Sequence, residues 1–160
     1  MSTPLSLSAS ILNSSMTMPF PLVWPFPEIK DDTPCDLSPP HLLIVEDEAD
    51  IQRNIEVLFK VKGFKVSCAE SGDQVAAFLR KDIPDVVLLD LCLDDCDDEE
   101  LIFAFKWQLR KTVFVIAYSA HTERKTAALA SGADQFISKM VPLPSLLNIV
   151  VRHVEEQVRW

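Results

Sequence analysis

The stretch "DVVLLDLCLDDCDDEE", residues 85–100, passes from a run of buried-strand character straight into a crowd of acids. Val86, Val87, Leu88 and Leu89, entered through Pro84, form an apolar run of the kind found in strands covered on both faces. Asp90 closes that run. Asp94, Asp95, Asp97, Asp98, Glu99 and Glu100 follow it, with Cys92 and Cys96 among them. Three readings are open at this point: a metal cage, an acidic interaction segment, or a single reactive carboxylate among solvated neighbours. The rest of the chain decides between them.

On either side of this stretch, apolar runs alternate with helical patterns. "HLLIVED", beginning at His41, is a short apolar run that ends in acids. In "DIQRNIEVLFKVKGF", Ile51, Ile55, Leu58 and Phe59 share one helical face, and Gly63 stands where a helix ends. "KVSCAE" reads as a strand, and "SGDQVAAFLRKD" as a helix turning Val75, Phe78 and Leu79 inward. "DEELIFAFKWQLR" reads as a helix with acids in its first turn, where the helix dipole favours them. "TVFVIAYSA" is a buried strand, "TERKTAALASG" a helix with a glycine stop, and "QFISK" a last strand. "PSLLNIVVRHVEEQVRW" closes the chain as a helix with Leu147, Val150, Val151, Val154 and Val158 on one face. Five strands alternating with five helices predict an α/β fold around a parallel sheet, without internal repeats.

Composition narrows the class further. The chain has 160 residues, enough for one ordinary domain, with 48% apolar and 24% charged residues. A net charge of −9 argues against binding nucleic acid or an anionic membrane. No apolar run approaches the roughly 20 residues of a membrane-spanning helix. The N-terminus lacks the basic and apolar regions of a secretory signal. Cys35, Cys68, Cys92 and Cys96 have neither the spacing nor the density of a disulfide scaffold, so a cytoplasmic setting is expected. Eight of the eleven prolines fall in the first forty residues. Residues 1–40 are therefore expected to form a flexible extension, and residues 41–160 the domain. Within the extension, "MPFPLVWPFPEI" is either a short docking motif or a plain tail.

In an open parallel sheet, ligands bind beyond the carboxyl ends of the strands, where strand order reverses. Glu46 and Asp47 close the first strand, Asp90 the third, Ser119 and Ala120 the fourth, and Lys139 the fifth. In the order 2-1-3-4-5 these ends are neighbours and share one shallow pocket. Clustered carboxylates call for a hard cation such as Mg²⁺. An aspartate can attack phosphorus to form an acyl phosphate, while a metal, a lysine and a hydroxyl share the charge on the phosphoryl oxygens.

With these residues in place, the region 41–160 resembles the response-regulator receiver domain of two-component signalling. The resemblance rests on Glu46-Asp47 in "LLIVEDEAD", Asp90 in "VVLLDL", Ser119-Ala120 in "VFVIAYSA", and Phe136 with Lys139 in "SGADQFISK". It implies a five-stranded flavodoxin-like sheet of order 2-1-3-4-5 with five helices. It also implies that Glu46, Asp47, Asp90 and the backbone carbonyl of Cys92 hold Mg²⁺. Asp90 would take a phosphoryl group from a histidine kinase or a phosphotransfer protein. Lys139 would pair with the acylated aspartate and Ser119 with a phosphoryl oxygen. Ala120 would keep the approach open, and Phe136 would turn inward as Ser119 moves. The chain stops at Trp160, so output is expected through protein contact along helix 4, strand 5 and helix 5, with Arg124, Lys125, Arg152 and Trp160 as candidate surface residues.

The match departs in the loop after Asp90. Leu93, Asp94 and Asp98 stand where receivers usually carry a methionine-proline pair and a glycine, and Met140 replaces the usual proline after the lysine. These changes leave the ligands intact and motivate an alternative, a receiver-like binding module that does not depend on phosphorylation. A phosphohydrolase using the same intermediate would need a second aspartate two residues past the nucleophile, where this chain has Cys92. Cys92 and Cys96 lack a second Cys/His pair for zinc. His121 is placed near the pocket mouth and His153 on an exposed helix face. Cys68 is expected to pack as a small apolar residue, and Phe103, Phe105 and Trp107 to divide between core and partner surface.

Overall fold

A computed structural model describes residues 38–93, 96–109 and 112–158, with side chains placed as far as Glu156. The expectations for residues 1–37, Asp94, Asp95, Val158 and Trp160 lie outside that description. The strands are β1 (His41–Val45), β2 (Lys65–Ala69), β3 (Val86–Asp90), β4 (Phe114–Ser119) and β5 (Gln135–Ser138). They form one sheet of order β2-β1-β3-β4-β5, parallel throughout. The helices are α1 (Ala49–Val61), α2 (Gly72–Leu79), α3 (Asp98–Phe103), α4 (Lys125–Ala130) and α5 (Leu143–Val158). The fold is the one expected, a flavodoxin-like α/β sandwich.

Alternation along the buried strands builds two cores, because successive side chains point to opposite faces. Leu43, Val45, Val87, Leu89, Val115 and Ala117 face α2, α3 and α4, where they meet Val75, Leu79, Ile102, Phe105 and Ala128. Leu42, Ile44, Val86, Leu88, Ile116 and Tyr118 face α1 and α5, where they meet Ile55, Phe59, Leu146, Leu147 and Val150. Covering both faces is what makes these strands apolar at every position. The edge strand β2 is only partly buried over most of its length. Cys68 packs at the rim of the α1–α5 core, as expected of a small apolar residue.

Local chemistry ends the helices. The Ser71 hydroxyl accepts from the Gln74 N–H at 3.2 Å to start α2. The Asp97 carboxylate accepts from Glu99 N and Glu100 N at 2.8 and 3.1 Å to start α3. Gly63 (φ +88°) and Gly132 (φ +112°) take left-handed conformations after α1 and α4, which a side chain would strain.

Three expectations need correction. The third helix is not continuous, because α3 passes into a wider π turn over Ala104–Gln108. In that turn Phe105 stays fully buried, while the Lys106 ammonium donates to the Val113 carbonyl at 3.0 Å and to Asp134 at 2.8 Å. Asp134 in turn accepts from Val115 N at 2.8 Å, so one ion pair ties the turn to the start of β4. The last helix begins at Leu143, which puts Pro144 in the first turn, where its missing N–H costs little. Its most buried residues include Leu146, a position outside the predicted apolar face. His153 is half-buried and stacks on Phe114, with ring centroids 3.5 Å apart. Burial holds its imidazole below the usual histidine value.

Phe59 is fully buried and meets Phe64 edge to face at 5.2 Å. Phe59→Ala is expected to cost about 3–5 kcal/mol in urea unfolding, whereas Val57→Ala, on the solvent side of α1, should stay within about 0.5 kcal/mol. Equal losses from the two substitutions would contradict this packing.

Candidate functional site

The carboxyl ends of β1, β3, β4 and β5 converge because these strands are neighbours in the sheet. Glu46 follows β1 directly and is almost fully buried. Its N–H donates to the Ala69 carbonyl at 3.0 Å, and its carbonyl accepts from the Gln52 side chain at 2.9 Å. Gln52 also reaches the Ala69 carbonyl, at 3.3 Å, and so pins the β1 and β2 ends together. Nothing in the sequence singled out Gln52, since a polar residue in the first turns of a helix is ordinary. Asp47, the next residue, is exposed. Asp90 is the last residue of β3 and 4% exposed. One oxygen from each of Glu46, Asp47 and Asp90 lies within 4.8 Å of the others.

Lys139 reaches this cluster from the end of β5. Its ammonium donates to Glu46 at 2.8 and 2.9 Å and lies 3.0 Å from Asp90 Oδ2. It also sits 5.8 Å from the centre of the Tyr118 ring. Ser119 ends β4 fully buried, and its hydroxyl accepts from His121 N at 3.1 Å. The Cys92 thiol stands 4.0 Å from that hydroxyl. Ala120 is exposed at the pocket's edge. Phe136 is half-buried against the α2–α4 core, beside Ala117 in the sheet register. His121 is exposed, with its ring 3.0 Å from Glu123.

The charges in the pocket are strained against one another. Burial pushes the Glu46 carboxyl up to about 7, a rise that its bond to Lys139 opposes and the Asp90 charge reinforces. Burial alone would lower Lys139, but its bonds to Glu46 and Asp90 hold it above the usual lysine value. One ammonium therefore serves two buried carboxylates, with Asp47 adding a third acid at the rim. The other oxygen of Asp90, Oδ1, is buried with no hydrogen-bond partner among the described residues. An orphaned carboxylate oxygen beside two further hard oxygen donors fits a Mg²⁺ site. The thiols of Cys92 and Cys96 take no part in that donor cluster.

The acids after Asp90 divide by role. Asp97 caps α3, and Glu99 and Glu100 lie exposed in its first turn. Asp98 is different. Burial pushes its carboxyl up to about 6 against the pull of Arg124. Arg124, expected as a surface residue, is exposed and also reaches back to the Leu91 carbonyl and to the Asp98 carboxylate. An arginine in a polar helix start carries no periodic signal, so this contact was not legible in the sequence. Leu91, Cys92, Cys96, Asp98, Arg124 and Ala128 line part of a groove of about 470 Å³ beside the cluster.

Comparisons with known proteins agree with this fold. Residues 42–151 match the family model of the response regulator receiver domain. The response regulator SaeR of Staphylococcus aureus is 32% identical over 100 residues, which cover 62% of this chain and 43% of SaeR. The chain thus spans less than half the length of the curated relatives it matches. A CheY-like receiver domain from Methanospirillum hungatei superposes with a TM-score of 0.69 at 25% identity, over 75% of this chain and 97% of that one. The receiver domain of TorR, the response regulator of the TMAO respiratory system, gives 0.66 at 28% identity, over 75% and 99%. Among the described residues no helix is long and apolar enough to cross a membrane. The chain belongs to the response regulator receiver domains of two-component signalling.

Proposed function

We propose that Asp90 is the phosphoacceptor of this chain, and that the phosphorylated domain signals by changing which protein it binds. The observation that carries this reading is the Asp90 carboxylate itself. One oxygen is held by Lys139, and the other is buried and unpartnered at a cluster of hard donors. In transfer, one oxygen of the Asp90 carboxylate would attack phosphorus as the P–N bond to the donor's histidine breaks, and the electron pair would leave with the imidazole. Glu46, Asp47, Asp90 and the Cys92 carbonyl would hold Mg²⁺, whose role is to neutralise charge on the phosphoryl oxygens.

The remaining residues have separate tasks. Lys139 keeps its proton and would follow the charge from the Asp90 carboxylate to a phosphoryl oxygen. The Ser119 hydroxyl already accepts from His121 N, which leaves its own proton for a phosphoryl oxygen. The small side chain of Ala120 leaves the approach open. Movement of Ser119 would vacate space for Phe136 to turn inward, altering the surface of α4, β5 and α5. Residues 41–160 are the working domain in this reading, and residues 1–40 an extension outside it. The partners are a histidine kinase or phosphotransfer protein upstream and a protein target downstream, in the cytoplasm, with no nucleic acid or membrane contact from this domain.

Intact mass after incubation with a small phosphodonor is expected to rise by one phosphoryl group. The gain should need Mg²⁺ and should vanish in EDTA and in Asp90→Asn. A gain that survives Asp90→Asn would place the acceptor elsewhere. The elevated Glu46 carboxyl also makes metal binding depend on pH. Below about 7 a proton occupies Glu46 and competes with the ion, so apparent Mg²⁺ affinity should rise about tenfold in all between pH 6 and 8, then level off. Calorimetry across that range checks it; a flat profile would show that Glu46 is already ionised.

A further inference from the structure

We propose that Arg124 is a positioning residue for the acceptor pocket, holding the peptide after Asp90 in place by gripping the Leu91 carbonyl with Asp98 as its brace. This inference rests on the Mg²⁺-dependent reading of the pocket and adds a part to it. One guanidinium nitrogen, Nη1, donates to both the Leu91 carbonyl and an Asp98 oxygen. Leu91 directly follows Asp90 and is fully buried, so its carbonyl lies on the backbone segment immediately after the acceptor. Arg124 lies in the short 3-10 turn Thr122–Arg124, just past Ser119. The contact therefore ties the loop after the acceptor to the loop after the hydroxyl.

Planarity of the peptide unit carries the effect inward. The Leu91 carbonyl and the Cys92 N–H lie in one plane and point opposite ways, so fixing the first also sets the second and limits how Cys92 sits. Cys92 is the residue whose carbonyl the pocket reading assigns to the metal, and its thiol already stands 4.0 Å from Ser119. The brace is not an ordinary surface pair. The Asp98 side chain is 13% exposed, and its second oxygen is buried without a hydrogen-bond partner among the described residues. Holding a carboxylate in that state is costly and calls for a return beyond surface charge pairing.

Electrostatics alone makes the opposite prediction, which gives the test its power. Removing a positive charge near the acidic pocket should tighten Mg²⁺ binding if Arg124 acts only as a charge. If it positions the loop, removing it should weaken binding. The experiment measures Mg²⁺ affinity of the full chain by calorimetry at pH 8 for wild type, Arg124→Met, Arg124→Ala and Arg124→Lys. Phosphoryl incorporation from acetyl phosphate is followed in parallel. Loss of an outer-shell partner typically costs about 10- to 100-fold, so Arg124→Met and Arg124→Ala should bind about tenfold more weakly. Arg124→Lys, which keeps a charged donor, should recover most of that loss. Unchanged or tighter binding in Arg124→Met and Arg124→Ala overturns the proposal. A wild type that binds Mg²⁺ but takes no phosphoryl group overturns the acceptor reading and leaves this one to stand on affinity. A wild type that binds no Mg²⁺ overturns both.

Discussion

Lys139 donating at once to Glu46 and Asp90 is the interaction on which the pocket depends. Two carboxylates at the end of a parallel sheet, nearly sealed from water, repel one another and resist ionisation. A single ammonium between them makes the arrangement tolerable without making it neutral. The residual negative charge and the orphaned oxygen of Asp90 are what give the site a place for a cation and a nucleophile in the same few ångströms. Breaking a buried pair of this kind by removing one member generally costs about 3–5 kcal/mol, because the other charge is left uncompensated. The lysine is thus a structural part of the resting domain as well as a candidate for the chemistry.

The rest of the fold serves to bring those three residues together. Lys139 and Glu46 are far apart in the chain and meet because β5 and β1 end at the same edge of one sheet. Register does the fine placement. Asp90 lies opposite Tyr118, and Ser119 opposite Ser138, so the acceptor and the hydroxyl finish their strands one step apart. That register holds because a slip by one residue would exchange the α1–α5 core for the α2–α4 core along an entire strand.

The loop after Asp90 meets a different constraint. It is held by one contact of its own and one from the loop after β4. Asp97 caps α3, and Arg124 crosses from the next loop to hold Leu91 and Asp98. The acids in this stretch are therefore not one feature. One is the candidate nucleophile, one a helix cap, one an ion-pair brace, and two are solvated at a helix start. The stretch reads as a single acidic block because charge is visible in a sequence, while the partner of each charge is not.

The sequence by itself determined the strand and helix alternation, the two-sided burial and the residues at each strand's carboxyl end. These follow from local periodicity, while the strand order 2-1-3-4-5 that makes those ends neighbours was implied by the resemblance to receiver domains. The acidic pair at 46–47, Asp90, Ser119 and Lys139 were legible for that reason. What only the tertiary structure decided depends on contacts between distant segments. The π turn after α3, the burial of Leu146, the stacking of His153 on Phe114 and the reach of Arg124 to Leu91 belong to this class. Each involves a side chain whose local pattern suits solvent or core equally well, and the choice falls to whichever partner the packed fold brings within reach.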